Sequence, residues 1–414
     1  MKSLLQFLGD FFKNKGQYIF ISLLVGKICA FLSSLLIIRW LPEDEFGKIS
    51  LVAAVFVMFS SASGLGGYQS LLRFGSIAKD DLEKNAISSH ILKQGFFYHL
   101  ILSVFFLICS LFFVKSFQDI FFIFLFFGIR FVGVYFQNHI QSYLRITQNN
   151  RDFARSNNVI NIVGLSLVLL LTYYFKIYGY LFAMAFSPFL SLFWFRKEMI
   201  SSKIPIKFSK REIWNYAFHT AGTTVFSDAL FAVDVILLGF LADENTVANY
   251  KVAILIPANL TFLALVFLQT DFPVLAKNFQ NKMYLKNYIS NYYKIFLPIC
   301  LLIFGVFWFF SGEILHLFFS EKYLGNQLIF LILTAAFLLN MLFRNLYGNL
   351  LASVGKMKVN TFVSAFSLFL LVVFSLVLVP DFQEKGMAFA ISATMFISGI
   401  LLMFNFYKYL RSLQ

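Results

Sequence analysis

The chain has little charge, little proline and few cysteines. Charged residues make up 13% of its 414 residues, whereas about 25% is usual in soluble domains. So few charged groups cannot cover a water-facing surface, which excludes a soluble enzyme. The 7 prolines and 22 glycines exclude a collagen-like chain. The 3 cysteines lie in apolar runs without a CxxC spacing, which excludes a disulfide framework and a zinc site.

Long apolar runs fill most of the sequence, which is 59% hydrophobic and contains 58 phenylalanines. A helix that crosses about 30 Å of hydrocarbon needs about 20 apolar residues. Twelve runs have roughly this length: 17–40, 47–72, 95–114, 118–142, 157–175, 177–195, 214–241, 247–270, 292–312, 324–350, 359–379 and 386–407. They are too long for strands, and a membrane barrel would show short alternating segments. The sequence therefore predicts an all-α polytopic membrane protein.

The basic residues predict how the chain is oriented. Most of the 34 Lys and Arg residues fall in alternate loops, and the intervening loops hold few. By the positive-inside rule, this places both termini in the cytoplasm, which an even number of spans also requires. The net charge of +14 is thus mainly an orientation signal, and nucleic acid is not an expected partner. Residues 1–16 are predicted to form a short amphipathic helix at the membrane surface.

The longest polar linker, 196–213, divides the chain into two six-helix lobes, 17–195 and 214–414. The lobes resemble each other at an offset of about 200–207 residues. For example, IIRWLPEDEFGKISLVAAV aligns with LLGFLADENTVANYKVAIL. Chance similarity between apolar helices is the alternative interpretation. A repeat of this kind fits a transporter whose halves move around a central site.

Ionisable residues inside the spans are the most informative ones. Lys27, Arg130 and Asp228 each lie near the centre of a predicted span. A charge at the middle of the bilayer costs about 2.5–3.5 kcal/mol on insertion scales. We therefore expect these side chains to face a hydrated cavity. The alternative is that they pair with one another and lock helices together.

Polar residues follow the same helical faces as these charges. Arg130, Gln137 and Gln141 are spaced i, i+7 and i+11, which places them on one narrow face. Two other spans carry polar stripes. Their predicted cavity residues are Thr224, Ser227, Asp228 and Asp234 in 214–241, and Asn340 and Arg344 in 324–350.

The charges of these candidates predict the kind of substrate. The cations Lys27, Arg130 and Arg344 lie on three spans, whereas Asp228 and Asp234 share one. Guanidinium groups pair bidentately with phosphate or carboxylate, so an anionic substrate is favoured. The carboxylates could tune the cations or bind a coupling cation. No metal site or cofactor is predicted, and coupling to H+ or Na+ stays open.

The sequence resembles the polysaccharide transporters of the multidrug/oligosaccharidyl-lipid/polysaccharide (MOP) exporter superfamily. The segment RWLPEDEFGKISL matches the family pattern L-P-x-x-x-F-G-x-x-S at Leu41, Pro42, Phe46, Gly47 and Ser50. Further similarity lies in SGLGGYQSLLRFG after the second run, in SDALFAVDVILLG and in LLASVGKMKVN.

This resemblance implies a V-shaped bundle of two lobes in the bacterial inner membrane. It also implies a flippase that moves an undecaprenyl-pyrophosphate-linked repeat unit, of O-antigen or capsule type, to the periplasmic leaflet by alternating access. Lipopolysaccharide assembly would then be one pathway served. Membrane lipids and the lipid-linked glycan are the implied partners, and the polysaccharide polymerase is a further candidate.

Two other functions stay open at this point. A cation-coupled multidrug exporter of the same superfamily would suit Asp228, Asp234 and the many phenylalanines. A membrane-embedded polymerase or glycosyltransferase needs a large extramembrane loop or a clustered acid/base site. Neither feature is visible, and the ATPase pattern GxxxxGK[ST] and the zinc-protease pattern HExxH are absent from the sequence. A non-enzymatic transporter is therefore expected.

Overall fold

The computed structural model describes Gly9, Phe12 and residues 16–114, 119–200, 202, 204–242, 244–318 and 325–413. The predicted amphipathic segment 1–16 lies almost entirely outside the described residues. Within them the regular secondary structure is helical throughout, which confirms the all-α prediction. Many large apolar side chains are exposed, as expected where the solvent is hydrocarbon; Phe193 and Phe240, for example, are 81% and 83% exposed.

Six α-helices of the described residues come from the first half of the chain. They are α1 Gly16–Trp40, α2 Glu43–Ser61, α3 Gly67–Ile77, α4 Asp81–Cys109, α5 Ile120–Ile146 and α6 Asn150–Phe186. A 3-10 helix, Ser187–Trp194, extends α6. The Asp80 and Asn149 side chains cap α4 and α6 by accepting hydrogen bonds from the backbone amides of Glu83 and Asp152.

Seven α-helices follow in the part of the second half that the structure describes. They are α7 Lys210–Leu241, α8 Glu244–Leu260, α9 Phe262–Lys277, α10 Lys282–Phe318, α11 Gln327–Asn340, α12 Leu346–Ser353 and α13 Met357–Ser412. A π-helical turn, Met341–Asn345, joins α11 to α12.

Nine helices of the described chain are long and apolar enough to cross a membrane. Two of these continuous helical segments, Asn150–Trp194 and Met357–Ser412, reverse direction part-way, because backbone atoms eight residues apart touch there. Counting each of these as two crossings, and adding the 25-residue α1, gives the twelve crossings that the sequence predicts. The protein is therefore a multi-pass membrane protein.

The two reversals have the same local structure. Lys176 (φ 51°, ψ −131°) and Gln383 (φ 49°, ψ −127°) break the helical dihedrals. Three residues after each break lies a glycine whose backbone touches the preceding arm of the hairpin: Gly179 against Leu171, and Gly386 against Leu378. The two breaks, Lys176 and Gln383, are 207 residues apart. This separation lies within the offset of about 200–207 residues at which the two halves of the sequence align.

The second predicted span, 47–72, is interrupted in the structure. Gly64, Leu65 and Gly66 have φ values of 55°, 49° and 75°, and separate α2 from α3. Gly66 also brings the backbone against Ala217 of α7, where a Cβ atom would overlap the Ala217 carbonyl oxygen. The sequence SGLGG supplies glycine at two of these three left-handed positions.

Packing divides the described chain into two compact units, which lie within Asp10–Gly222 (the first unit) and Thr223–Gln414 (the second unit). The division falls inside α7, nine residues after the end of the predicted linker 196–213. The start of α7 packs in the first unit, where Ser70 Oγ donates to the Ile213 carbonyl at 2.9 Å and Trp214 Nε1 donates to Gln94 Oε1 at 2.9 Å. Part of the predicted linker packs there as well, since Met199 is fully buried.

Each unit has its own apolar core. In the first unit, phenylalanines of α2, α4 and α5 pack edge to face, with Phe56 at 5.5 Å from Phe127 and 6.3 Å from Phe106. In the second unit, Tyr250, Phe330, Phe337 and aliphatic side chains of α13 fill the core.

Candidate functional site

A cavity of about 290 Å³ lies within the first unit. Helices α1, α5 and α6 and the 3-10 helix after α6 form its walls. Its polar lining consists of Ser33, Arg130, Gln137, Asn161, Tyr180 and Ser187. Ile160, Leu165 and Val168 of α6 form an apolar wall. The cavity is therefore a mixed polar and apolar pocket inside the membrane-spanning part of one unit.

Arg130 of α5 is the cationic side chain of this cavity. Its Nη1 donates to the Met184 carbonyl oxygen at 3.2 Å and lies 3.0 Å from the Met184 sulfur. The guanidinium carbon lies 5.5 Å from the centre of the Phe56 ring, a cation–π contact. Its Nε is buried and has no hydrogen-bond partner among the described residues. All these partners are neutral, so the positive charge is not balanced by a carboxylate in contact with it within the described chain.

Gln137 and Gln141 follow Arg130 on α5, and the structure separates them. Gln137, about two turns from Arg130, also lines the cavity. Gln141 does not line it, and its amide nitrogen is buried without a hydrogen-bond partner in the described chain. The predicted polar face thus brings Arg130 and Gln137 together at the cavity and leaves Gln141 beyond its end.

Lys27 of α1 is exposed and is not one of the cavity-lining residues. Its neighbours Cys29, Ala30 and Ser33 do line the cavity. The structure therefore brings α1 to the pocket but does not place Lys27 beside Arg130 in its lining.

Arg344 lies in the second unit, on the π-helical turn. Its side chain is buried, and its Nη2 donates to Ser227 Oγ of α7 at 3.2 Å. Ser227 Oγ is in turn 3.3 Å from Ser364 Oγ of α13. These contacts join the π-helical turn, α7 and α13. The hydrogen-bond partner of the Arg344 guanidinium is a neutral hydroxyl.

Two tyrosines of α10 support the π-helical turn that carries Arg344. The Tyr292 hydroxyl donates to the Met341 carbonyl at 2.9 Å, and the Tyr293 hydroxyl donates to the Leu342 carbonyl at 3.2 Å. A π turn disturbs the regular helical hydrogen bonding, and such turns often occur at functional sites. The tyrosine hydroxyls add side-chain hydrogen bonds at this point.

The remaining candidates are scattered over the second unit. Asn340 is buried at the end of α11, and its Oδ1 has no partner among the described residues. Thr224 is partly buried and Asp228 is exposed, both on α7. Asp234, further along α7, is buried and accepts a hydrogen bond from the Tyr250 hydroxyl of α8 at 2.8 Å.

The Tyr250–Asp234 contact gives a testable stability effect. Both residues are buried, and hydrogen bonds to charged groups contribute about 1.5–3 kcal/mol. Tyr250→Phe is expected to destabilise the protein by about that amount, measured as a lower midpoint of thermal unfolding in detergent. Tyr178→Phe is the matched control, because Tyr178 is 64% exposed. Equal midpoints for the two variants would contradict the expectation.

The family of the chain follows from comparison with known proteins. The model of the family described as polysaccharide biosynthesis protein matches residues 12–279. The chain belongs to this family. A segment of 117 residues is also 32% identical to the capsular polysaccharide biosynthesis protein CapF of Staphylococcus aureus. That segment spans 28% of this chain and 28% of CapF.

Solved structures show the fold of this polysaccharide biosynthesis family member. A MATE protein crystallised in the bent conformation has a TM-score of 0.77 at 16% identity, over 96% of this chain and 98% of that chain. An outward-facing multidrug resistance MATE transporter of the MOP superfamily has a TM-score of 0.75 at 16% identity, over 96% of both chains. A MOP superfamily transporter from Pyrococcus furiosus has a TM-score of 0.74 at 15% identity, also over 96% of both chains. These structures confirm that the fold is of the MOP type, as the sequence resemblance implied.

Sequence reasoning missed several residues of this family member's cavity. Asn161, Tyr180, Met184 and Ser187 line it, yet only Arg130 and Gln137 were expected among its polar residues. Asn161 had a signal, because Asn157, Asn158 and Asn161 cluster on one turn of an otherwise apolar span. Met184 had none, because it contacts Arg130 through a backbone carbonyl that every residue possesses and through the sulfur of an apolar side chain.

Proposed function

We propose that the protein is a flippase that moves an undecaprenyl-pyrophosphate-linked oligosaccharide repeat unit, of O-antigen or capsule type, from the cytoplasmic to the periplasmic leaflet by alternating access. The observation that carries the proposal is the combination of family and site. A member of the polysaccharide biosynthesis family contains a mixed polar and apolar cavity, lined by the partly buried Arg130, inside its membrane-spanning part.

The physical reason concerns the head group of such a lipid. Sugar hydroxyls and phosphate charges cannot enter hydrocarbon without replacement of their hydration. A polar cavity supplies hydrogen-bond partners in place of water, whereas the polyprenyl tail needs no such shelter and can stay in the lipid. The fold shared with MATE transporters supports a transporter function.

In this proposal the cations bind the anionic parts of the substrate. Arg130 and Arg344 are the strongest candidates, because each is held by neutral groups in its own unit. Lys27 would bind an anionic group from the exposed face of α1, where its side chain lies. Asp228 or Asp234 would tune these cations or bind H+ or Na+ as a coupling ion. Both termini would lie on the cytoplasmic side of a bacterial inner membrane. The polysaccharide polymerase would receive the translocated repeat unit.

Deletion of the gene in its own host tests the function. We expect loss of the surface glycan and accumulation of lipid-linked repeat units in the membrane, measured by mass spectrometry of extracted lipids. A plasmid copy of the wild-type gene should restore both, whereas a copy with an early stop codon should not.

Other outcomes would identify the rival functions. Normal surface glycan together with increased drug sensitivity would contradict the flippase and support a multidrug exporter. Surface glycan shortened to single repeat units would instead indicate a polymerase, because single units would still reach the outer face.

A further inference from the structure

The size of the cavity in the first unit limits what it can hold. Its volume of about 290 Å³ lies at the lower end of the range of about 300–1,000 Å³ for small-molecule sites. A complete repeat unit with its pyrophosphate is much larger than a single sugar ring. The cavity therefore suits one small group of the substrate.

The free edge of Arg130 indicates the charge of that group. Nη1 is occupied by Met184, whereas Nε is buried without a partner and Nη2 makes no hydrogen bond within the described chain. Nε and Nη2 together form one side of the guanidinium, which matches two oxygens of a carboxylate or phosphate. A bound anion would also balance a charge that the contacts of Arg130 leave uncompensated.

The neutral lining indicates the rest of the group. Gln137 and Ser33 offer hydrogen bonds to hydroxyl groups, and Ser187, whose Oγ donates to the Met184 carbonyl at 3.4 Å, offers an acceptor. The Asn161 amide nitrogen already donates to the Asn157 carbonyl at 2.7 Å, which leaves its side-chain oxygen as an acceptor. The apolar wall of α6 suits the C–H face of a sugar ring.

We propose that this cavity binds one acidic sugar residue of the glycan, with the carboxylate on Arg130 and the ring hydroxyls on the amide and hydroxyl side chains. This inference rests on the proposed function and specifies its substrate: a repeat unit that contains a hexuronate-type sugar. A pyrophosphate is a poorer match, because it carries charge on both phosphate groups and the described lining of the cavity contains one cationic residue.

Binding to the full-length protein in lipid nanodiscs tests the proposal. The probes are D-glucuronate, neutral D-glucose and inorganic pyrophosphate, titrated by saturation-transfer NMR or calorimetry. We expect the wild type to bind glucuronate at least about tenfold more tightly than glucose, the ratio expected for one charge-assisted pair. Pyrophosphate should bind more weakly than glucuronate.

Two substitutions connect the preference to Arg130. Arg130→Gln is expected to bring the ratio of glucuronate to glucose affinity close to one. Arg130→Lys keeps the charge but not the bidentate geometry, so it should retain a smaller preference. Arg155→Gln is the matched control; Arg155 is exposed on α6, pairs with Asp152 at 3.6 Å and should leave the ratio unchanged.

Several results would overturn the inference. Equal binding of glucuronate and glucose by the wild type would do so without any variant, even if Arg130→Gln failed to fold. Arg130-dependent binding of pyrophosphate in place of glucuronate would assign the cavity to the lipid head group. Failure of the proposed function is a separate result, seen as normal surface glycan after gene deletion.

Discussion

Alanine at either hairpin glycine, Gly179 or Gly386, is expected to prevent stable folding of the corresponding unit. A Cβ atom at Gly179 would overlap the carbonyl oxygen of Leu171, and one at Gly386 would overlap the carbonyl oxygen of Leu378. The obstructing atoms are backbone, so no side-chain rotation can relieve the overlap. Overpacking of a well-packed site usually costs about 1–3 kcal/mol and occasionally more, and a backbone overlap lies at the upper end.

The measurement is the yield of monodisperse protein and its thermal midpoint in detergent. Gly305→Ala is the matched control, because a Cβ atom there would have no neighbour within 4 Å among the described residues. We expect Gly179→Ala and Gly386→Ala to lose most of the monodisperse protein and Gly305→Ala to retain it. Similar yields and midpoints for all three variants would show that the hairpins tolerate a side chain and that the close approach is not required.

The second large effect is expected for Gly66→Ala in the first unit. Gly66 has φ +75°, a left-handed conformation that costs other residues roughly 1–2 kcal/mol. Its Cβ atom would also overlap the carbonyl oxygen of Ala217 at the start of α7. Strain and overlap act together, so we expect this substitution to displace α7 from its contacts with Ser70 and Gln94.

A direct readout of that displacement is available from Trp214, whose indole nitrogen donates to Gln94. We expect Gly66→Ala to change the tryptophan emission spectrum and to lower the thermal midpoint, with Trp40, Trp194 and Trp308 replaced by Phe in the background protein. Gly348→Ala is the control, because its nearest neighbour would be a side-chain carbon at 3.8 Å, an ordinary contact. An unchanged spectrum in Gly66→Ala would contradict this role for the glycine.

Parts of the cavity could be predicted from helical periodicity and parts could not. Arg130 and Gln137 share a face because they are seven residues apart on one helix, and both line the cavity. Gln141 continues that face in the sequence but lies outside the lining. Periodicity assigns the direction of a side chain around its helix, whereas the depth at which a cavity ends depends on which neighbouring helices close it.

The partners of the charged side chains inside the spans show the same limit. The sequence suggested that Asp228 or Asp234 could pair with Arg130 or Lys27. In the structure, Asp234 accepts a hydrogen bond from the Tyr250 hydroxyl. Arg130 contacts the backbone of Met184, and Arg344 contacts Ser227. These partners are neutral groups on other helices, and neutral partners cannot be predicted from the distribution of charged residues in the sequence.

The sequence by itself determined the number of membrane crossings and the positions of the hairpins, because hydrocarbon thickness sets the length of each apolar run. It also placed charges where only a polar environment tolerates them. The tertiary structure decided that Arg130 faces a cavity inside one unit, that α7 belongs partly to each unit, and that tyrosine holds Asp234. The reason is that lipid and protein core are equally apolar, so hydropathy shows that a helix is in the membrane but not which of its faces meets another helix.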